Sequence, residues 1–160
     1  MGLFRRAPAE VTALLAAGER PLAWSATSPD GWAVASGDRF VCTAPGIDER
    51  WVQILGATWE QPVLELSLWR PPAPQPVRIT LRDGQVLPQV VRERIMASLV
   101  VQRHVGIRGS KGVRLLARRD PATDAITWQK VLDPELDGAD ASVQEAVDRA
   151  LEEVRNNYGV

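Results

Sequence analysis

Alternation of apolar and polar positions dominates the first half of the chain. Leu64, Leu66 and Leu68 share one face of residues 63–70, and Glu65 and Ser67 take the other. Period two is the mark of a strand with one face buried. The same period runs through Leu22, Trp24 and Ala26, which alternate with Ala23, Ser25 and Thr27. Trp32 and Val34 begin a return strand, Phe40-Val41-Cys42 makes a third, residues 51–60 a fourth, and Val77, Ile79 and Leu81 the last of six. Ser28-Pro29-Asp30-Gly31, Gly37-Asp38 and Gln61-Pro62 supply the turns, because proline presets φ and glycine accepts positive φ. Residues 44–49 read as a loop. Pro71-Pro72-Ala73-Pro74-Gln75-Pro76 reads as a stiff surface connection, because proline gives a sheet no ladder donor. Asp83-Gly84 closes the sixth strand.

The period then changes to that of a helix. Leu87, Val90, Val91, Ile95, Ser98, Leu99 and Gln102 predict four to five turns opened near Pro88, with Arg103 and His104 at the far end, where cations favour the helix dipole. Residues 106–112 read as a loop. Residues 113–119 and 126–132 read as a hairpin across Asp120-Pro121-Ala122-Thr123-Asp124. Val143, Ala146, Val147, Ala150, Leu151 and Val154 stripe a closing helix, with Ser142-Val143-Gln144-Glu145 as its capping box and Gly159 as its stop. A short leading helix spans 8–17 and stops at Gly18. The elements together predict an α+β fold: a bent, mainly antiparallel sheet flanked by helices, with a C-terminal amphipathic helix, in a single domain 1–160.

Composition agrees with a packed domain: 160 residues, 45% apolar and 24% charged, enough to build a core without staples. The single cysteine, Cys42, rules out an intrachain disulfide and points to a reducing compartment. The basic start is interrupted by Pro8 and Glu10, Arg6 stands where myristoylation wants Ser or Thr, and no apolar run reaches the roughly 20 residues of a membrane span. A cytoplasmic protein is expected. Arginine outnumbers lysine seventeen to two, which suggests a high-GC genome.

Charge is sorted along the chain. Residues 85–119 carry eight basic groups and one acidic, whereas 120–160 carry three and ten. Either the acidic segment folds against the basic one, or an arginine face is exposed to an anion, a phosphate or nucleic acid.

Reactive chemistry finds little purchase. No Gly-x-Ser-x-Gly elbow is present, Cys42 sits in an apolar strand, and His104 is the only histidine. In Gly106-Ile107-Arg108-Gly109-Ser110-Lys111-Gly112 the serine precedes the lysine and a strand follows, so it departs from a phosphate-binding loop. Asp133-Pro134-Glu135-Leu136-Asp137-Gly138 spaces oxygens as a calcium loop does, but Glu145 stands at position 13 instead of 12. No catalytic residue, metal ligand or cofactor is assigned. Of six tryptophans, Trp69 is opposite in parity to the leucines, so it faces away from their core and is a candidate anchor for a partner.

Arg50-Trp51-Val52-Gln53-Ile54, Ala57-Thr58-Trp59-Glu60 and Val63-Leu64-Glu65-Leu66 resemble the middle strands of bacterial PH-like domains. A longer pattern is similar to a group of small actinobacterial proteins with no assigned activity. It comprises Leu87-Pro88, Val91-Arg92-Glu93-Arg94, Arg103-His104-Val105, Gly112-Val113-Arg114, Arg118-Arg119-Asp120-Pro121 and Trp128. The PH resemblance implies a strongly bent roll of strands, although PH folds place seven strands before one closing helix.

The leading expectation is a non-enzymatic interaction module with a protein partner, using a sheet edge or exposed aromatic and arginine side chains. The alternative is an anion or nucleic-acid binder using Arg92, Arg94, Arg103, Arg108, Lys111, Arg114, Arg118 and Arg119. An enzyme of another type is the third reading, and self-association is left open.

Overall fold

The computed structural model describes residues 5–83 and 86–160. A short helix α1 (Ala9–Ala13) leads into seven strands, β1 (Pro21–Ser28), β2 (Gly31–Ser36), β3 (Arg39–Thr43), β4 (Gly46–Arg50), β5 (Ile54–Glu60), β6 (Val63–Leu68) and β7 (Gln75–Leu81). Helix α2 (Leu87–Ser98) follows, then β8 (Leu99–Arg108), β9 (Lys111–Arg119), β10 (Ile126–Leu132) and the closing helix α3 (Ala141–Tyr158). The expected α+β architecture is present. The first seven strands form one antiparallel sheet in the order β4-β3-β2-β1-β7-β6-β5, and the last three form a second in the order β10-β9-β8.

Two meanders meet at β1, which pairs with β2 along most of its length but with β7 only at Thr27 and Ser28. The buried face of β1 is accordingly made of small side chains, Ala23, Ser25 and Thr27, while Leu22 is 47% exposed. The leucine face of β6 behaves as its alternation demands: Leu64, Leu66 and Leu68 are buried. They join Phe40, Trp51, Ile54 and Ile79 in a core closed at one side by Leu87, Val91 and Ile95 of α2. A second core lies between the smaller sheet and α3, built from Val101, Val113, Leu115 and Ala117 against Val143, Val147, Ala150 and Val154.

Several boundaries differ from the sequence expectation. Residues 46–50, expected as loop, form β4 on the Cys42↔Ile47 register of a hairpin with β3. Trp51–Gln53 is a single 3-10 turn, so β5 begins only at Ile54. The leading helix stops at Ala13, with Gly18 at φ +83° further on. Helix α2 stops at Ser98, and Leu99 and Gln102, which continued its period, belong to β8. Leu99-Val100-Val101 carries two β-branched residues in succession, which favour a pleated surface. Arg103 and His104 therefore lie on a strand and not at a helix end. The expected loop 106–112 is the tip of the β8–β9 hairpin, with Gly109 at φ +61°. Asp140, not Ser142, caps α3 by accepting the N–H of Ser142. Gly84 lies outside the described residues.

The two sheets are joined at the 3-10 turn. Arg50 of β4 pairs with Asp120 at 3.0 Å. The Gln129 amide donates to the carbonyl of Val52, and the Arg118 guanidinium donates to those of Trp51 and Ile54. No helix among the described residues is long and apolar enough to cross a membrane.

Candidate functional site

Strand β5 is an outer strand: it pairs with β6, and among the described residues no strand flanks its other edge. Helix α2 packs across it, and a groove of about 430 Å³ opens between them. Trp59 forms one wall, and Pro88, Gln89, Arg92, Glu93 and Met96 the other. The local sequence explains the arrangement. Leu87, Val91 and Ile95 take the inner face of α2, so Gln89, Arg92 and Met96, out of phase with that stripe, are exposed. Met96 stands 64% exposed. Gln89 donates to Glu93 at 3.1 Å, whereas Arg92 has no carboxylate partner among the described residues. A half-buried tryptophan beside an unpaired arginine and a flexible methionine is the composition that protein interfaces favour.

The other residues singled out from the sequence do not gather on one surface. Trp69 lies just past β6, its N–H donating to the carbonyl of Gln53 at 2.7 Å. It is half-buried and lines a separate groove of about 520 Å³ with Pro71, Pro72, Trp128, Lys130 and Val143. Arg108 donates to Asp140 at 3.0 Å and to Ser142 at 2.9 Å. Lys111 pairs with Glu135 at 3.0 Å and Arg119 with Asp124 at 2.8 Å. Arg118 is 1% exposed and contributes to no surface. Arg114 is partly buried, with its Nε shielded and unpartnered. Arg103 is exposed on β8 and Arg94 half-buried on α2. The acidic segment thus pairs with Arg108, Lys111 and Arg119 of the basic one, and Arg92 is the arginine that lines the groove with Trp59.

His104 contacts Asp133 at 3.0 Å, across the bare backbone of Gly112, whose N–H donates to the same carboxylate oxygen at 2.7 Å. That N–H and then the histidine hold the Asp133 carboxyl below its ordinary range. Ser142, first through its hydroxyl and then its N–H, and then Arg108, lower Asp140 to about 2. Cys42 is 2% exposed inside the first core, and burial pushes its thiol up, away from the thiolate that nucleophilic chemistry needs. The segment with calcium-like spacing is used internally, Asp133 on His104, Glu135 on Lys111 and Asp137 on the N–H of Ala139. Among the described residues no three His, Cys, Asp or Glu side chains converge as metal ligands do. The amides of the glycine-rich tip are largely committed to the β8–β9 ladder, Gly106 opposite Gly112 and Arg108 opposite Lys111.

Trp59 and Met96 escaped the sequence reading as site residues. The alternation that identified the fourth strand was the available signal for Trp59, but nothing local says that its strand is the sheet's edge. Comparison of the chain with protein-family models, with curated proteins and with solved structures found no match.

Proposed function

We propose that the chain is a non-enzymatic interaction module that receives an extended segment of a partner protein in the groove between β5 and α2. The observation that carries this reading is the coincidence, at a sheet edge, of Trp59, exposed Met96 and unpaired Arg92. An unpaired edge offers backbone donors and acceptors to an added strand, and side-chain pockets beside it select the sequence. An apolar side chain of the partner fits against Trp59 and Met96, and a carboxylate suits Arg92. Seven antiparallel strands followed by α2 support the PH-like reading of residues 50–66, although α2 here leads on into β8, β9, β10 and α3 where a PH fold has its closing helix. The single buried thiol supports a cytoplasmic setting, where it stays reduced.

Selection of extended peptides from a random display library against the intact protein tests the proposal. Recovered peptides are expected to carry an apolar and an acidic residue, and to lose at least tenfold in affinity on Trp59→Ala or Arg92→Glu, but not on Trp69→Ala. Peptides indifferent to Trp59 overturn it. If instead a single-stranded oligonucleotide binds with affinity that falls steeply with salt, the anion-binding alternative through Arg92, Arg94 and Arg103 takes its place.

A further inference from the structure

Both walls of the β5–α2 groove end on one buried side chain from the other sheet. Arg118 of β9 directs Nε and Nη2 to the Ser98 hydroxyl at 2.9 and 2.6 Å. Its Nη2 also reaches the carbonyls of Trp51 at 2.7 Å and Ile54 at 2.9 Å. Ser98 is the last residue of α2 and donates its own hydroxyl hydrogen to the carbonyl of Ile95 at 2.7 Å. Ile54 is the first residue of β5. No carboxylate pairs with this guanidinium among the described residues, so its charge is met by oxygen dipoles alone.

An apolar side chain fills such a site at less cost in desolvation. What it lacks is direction. A guanidinium is a planar fork whose donors hold several acceptors at fixed angles. Here the acceptors belong to the two elements whose separation defines the groove.

We infer that Arg118 is a positioning residue for the groove, a strut from the three-stranded sheet that sets how α2 lies against β5. This rests on the reading of that groove as a binding site. Its consequence is that the unit formed by β8, β9, β10 and α3 governs the shape of a site to which it lends no surface. A ligand in the groove and any event that shifts β9 are then coupled through the same contacts, each acting on the other to an equal extent.

Residual dipolar couplings of the backbone amides in the full chain report the orientation of α2 against the larger sheet without any ligand. In Arg118→Met, α2 is expected to rotate relative to β5, β6 and β7, while α3 keeps its orientation on the smaller sheet. Ser98→Ala removes the α2 anchor alone, and is expected to turn α2 in the same sense by less. Should Arg118→Met fail to fold, Ser98→Ala decides the matter. Filling volume is the purely structural role, and it lowers the melting temperature while leaving the α2 couplings on the original orientation; that result overturns the inference. The peptides selected on the unmodified protein separate the two claims. Trp59-dependent peptides whose affinity is unchanged in both variants sink the positioning role and leave the site standing. Rotation of α2 in a protein that selects no Trp59-dependent peptide upholds the strut and removes the site.

Discussion

Arg118 and Glu19 show how differently a buried and a half-buried charge are accommodated. Glu19 is drawn up by burial, but its hydrogen bonds from Arg39, Ser36 and the N–H of Ala16 outweigh that and lower it to about 2. Its folded pKa lies below the unfolded one, so its stabilisation is present above about pH 4.5 and lost as pH falls towards 2. Allowing for solvent screening, that is on the order of 1–2 kcal/mol. Urea titrations between pH 6 and pH 2.5 are expected to show a loss that is smaller in Glu19→Gln by that amount, the remainder belonging to Asp140 and the other lowered carboxyls. Arg118 has no such counter-charge, and desolvation lowers it to about 10. Truncation to Ala leaves the carbonyls of Trp51 and Ile54 without their donor, which should cost about 2–4 kcal/mol in equilibrium denaturation. A cost below about 1 kcal/mol would mean that water replaces the guanidinium. Gly112 is a third residue with a specific demand. A Cβ there would meet the carbonyl oxygen of Val105 at 1.9 Å, so Gly112→Ala must displace the β8–β9 ladder and is expected to cost about 3 kcal/mol or more.

At the scale of elements, legibility followed the strength of local signals. The β6 alternation and the α3 stripe were readable because the two faces of each differ sharply in burial. The end of α2 was not, because Leu99 and Gln102 fall on helical spacing by coincidence and belong to β8. Strand β4 was hidden by its charges: Asp48, Glu49 and Arg50 belong to an edge strand, where charged side chains discourage pairing with other chains. The cap of α3 was misread by two residues, since Asp140 and Ser142 both suit the role and only the backbone geometry separates them. Asp140→Ala is therefore expected to lower the melting temperature more than Ser142→Ala, since it removes both the cap and the charged partner of Arg108. The reverse order would restore Ser142 as the cap. Trp59 was visible as a strand residue, but its role depends on β5 lying at the sheet edge, which is settled by a β1–β7 pairing more than fifty residues apart in sequence.

For the whole molecule, the decisive feature is that two cores are joined at one turn. Arg50, Arg118 and Gln129 converge on residues 50–54 from both sheets, so strain at that turn reaches the groove and the closing unit together. Part of the sorted charge is paired internally: Asp140 and Glu135 pair with Arg108 and Lys111, Asp124 pairs with Arg119, and Asp133 contacts His104. Arg92 and Met96 stay exposed beside Trp59 at the β5 edge, and the proposed function stands on that edge accepting a partner strand. Backbone amide shifts of isotope-labelled protein, titrated with a peptide selected on it, test this most directly. The largest changes are expected along β5 and α2, from Leu55 to Glu60 and from Gln89 to Met96. Changes centred on the Trp69–Trp128 groove, or on Arg103 and the β8 face, would contradict it.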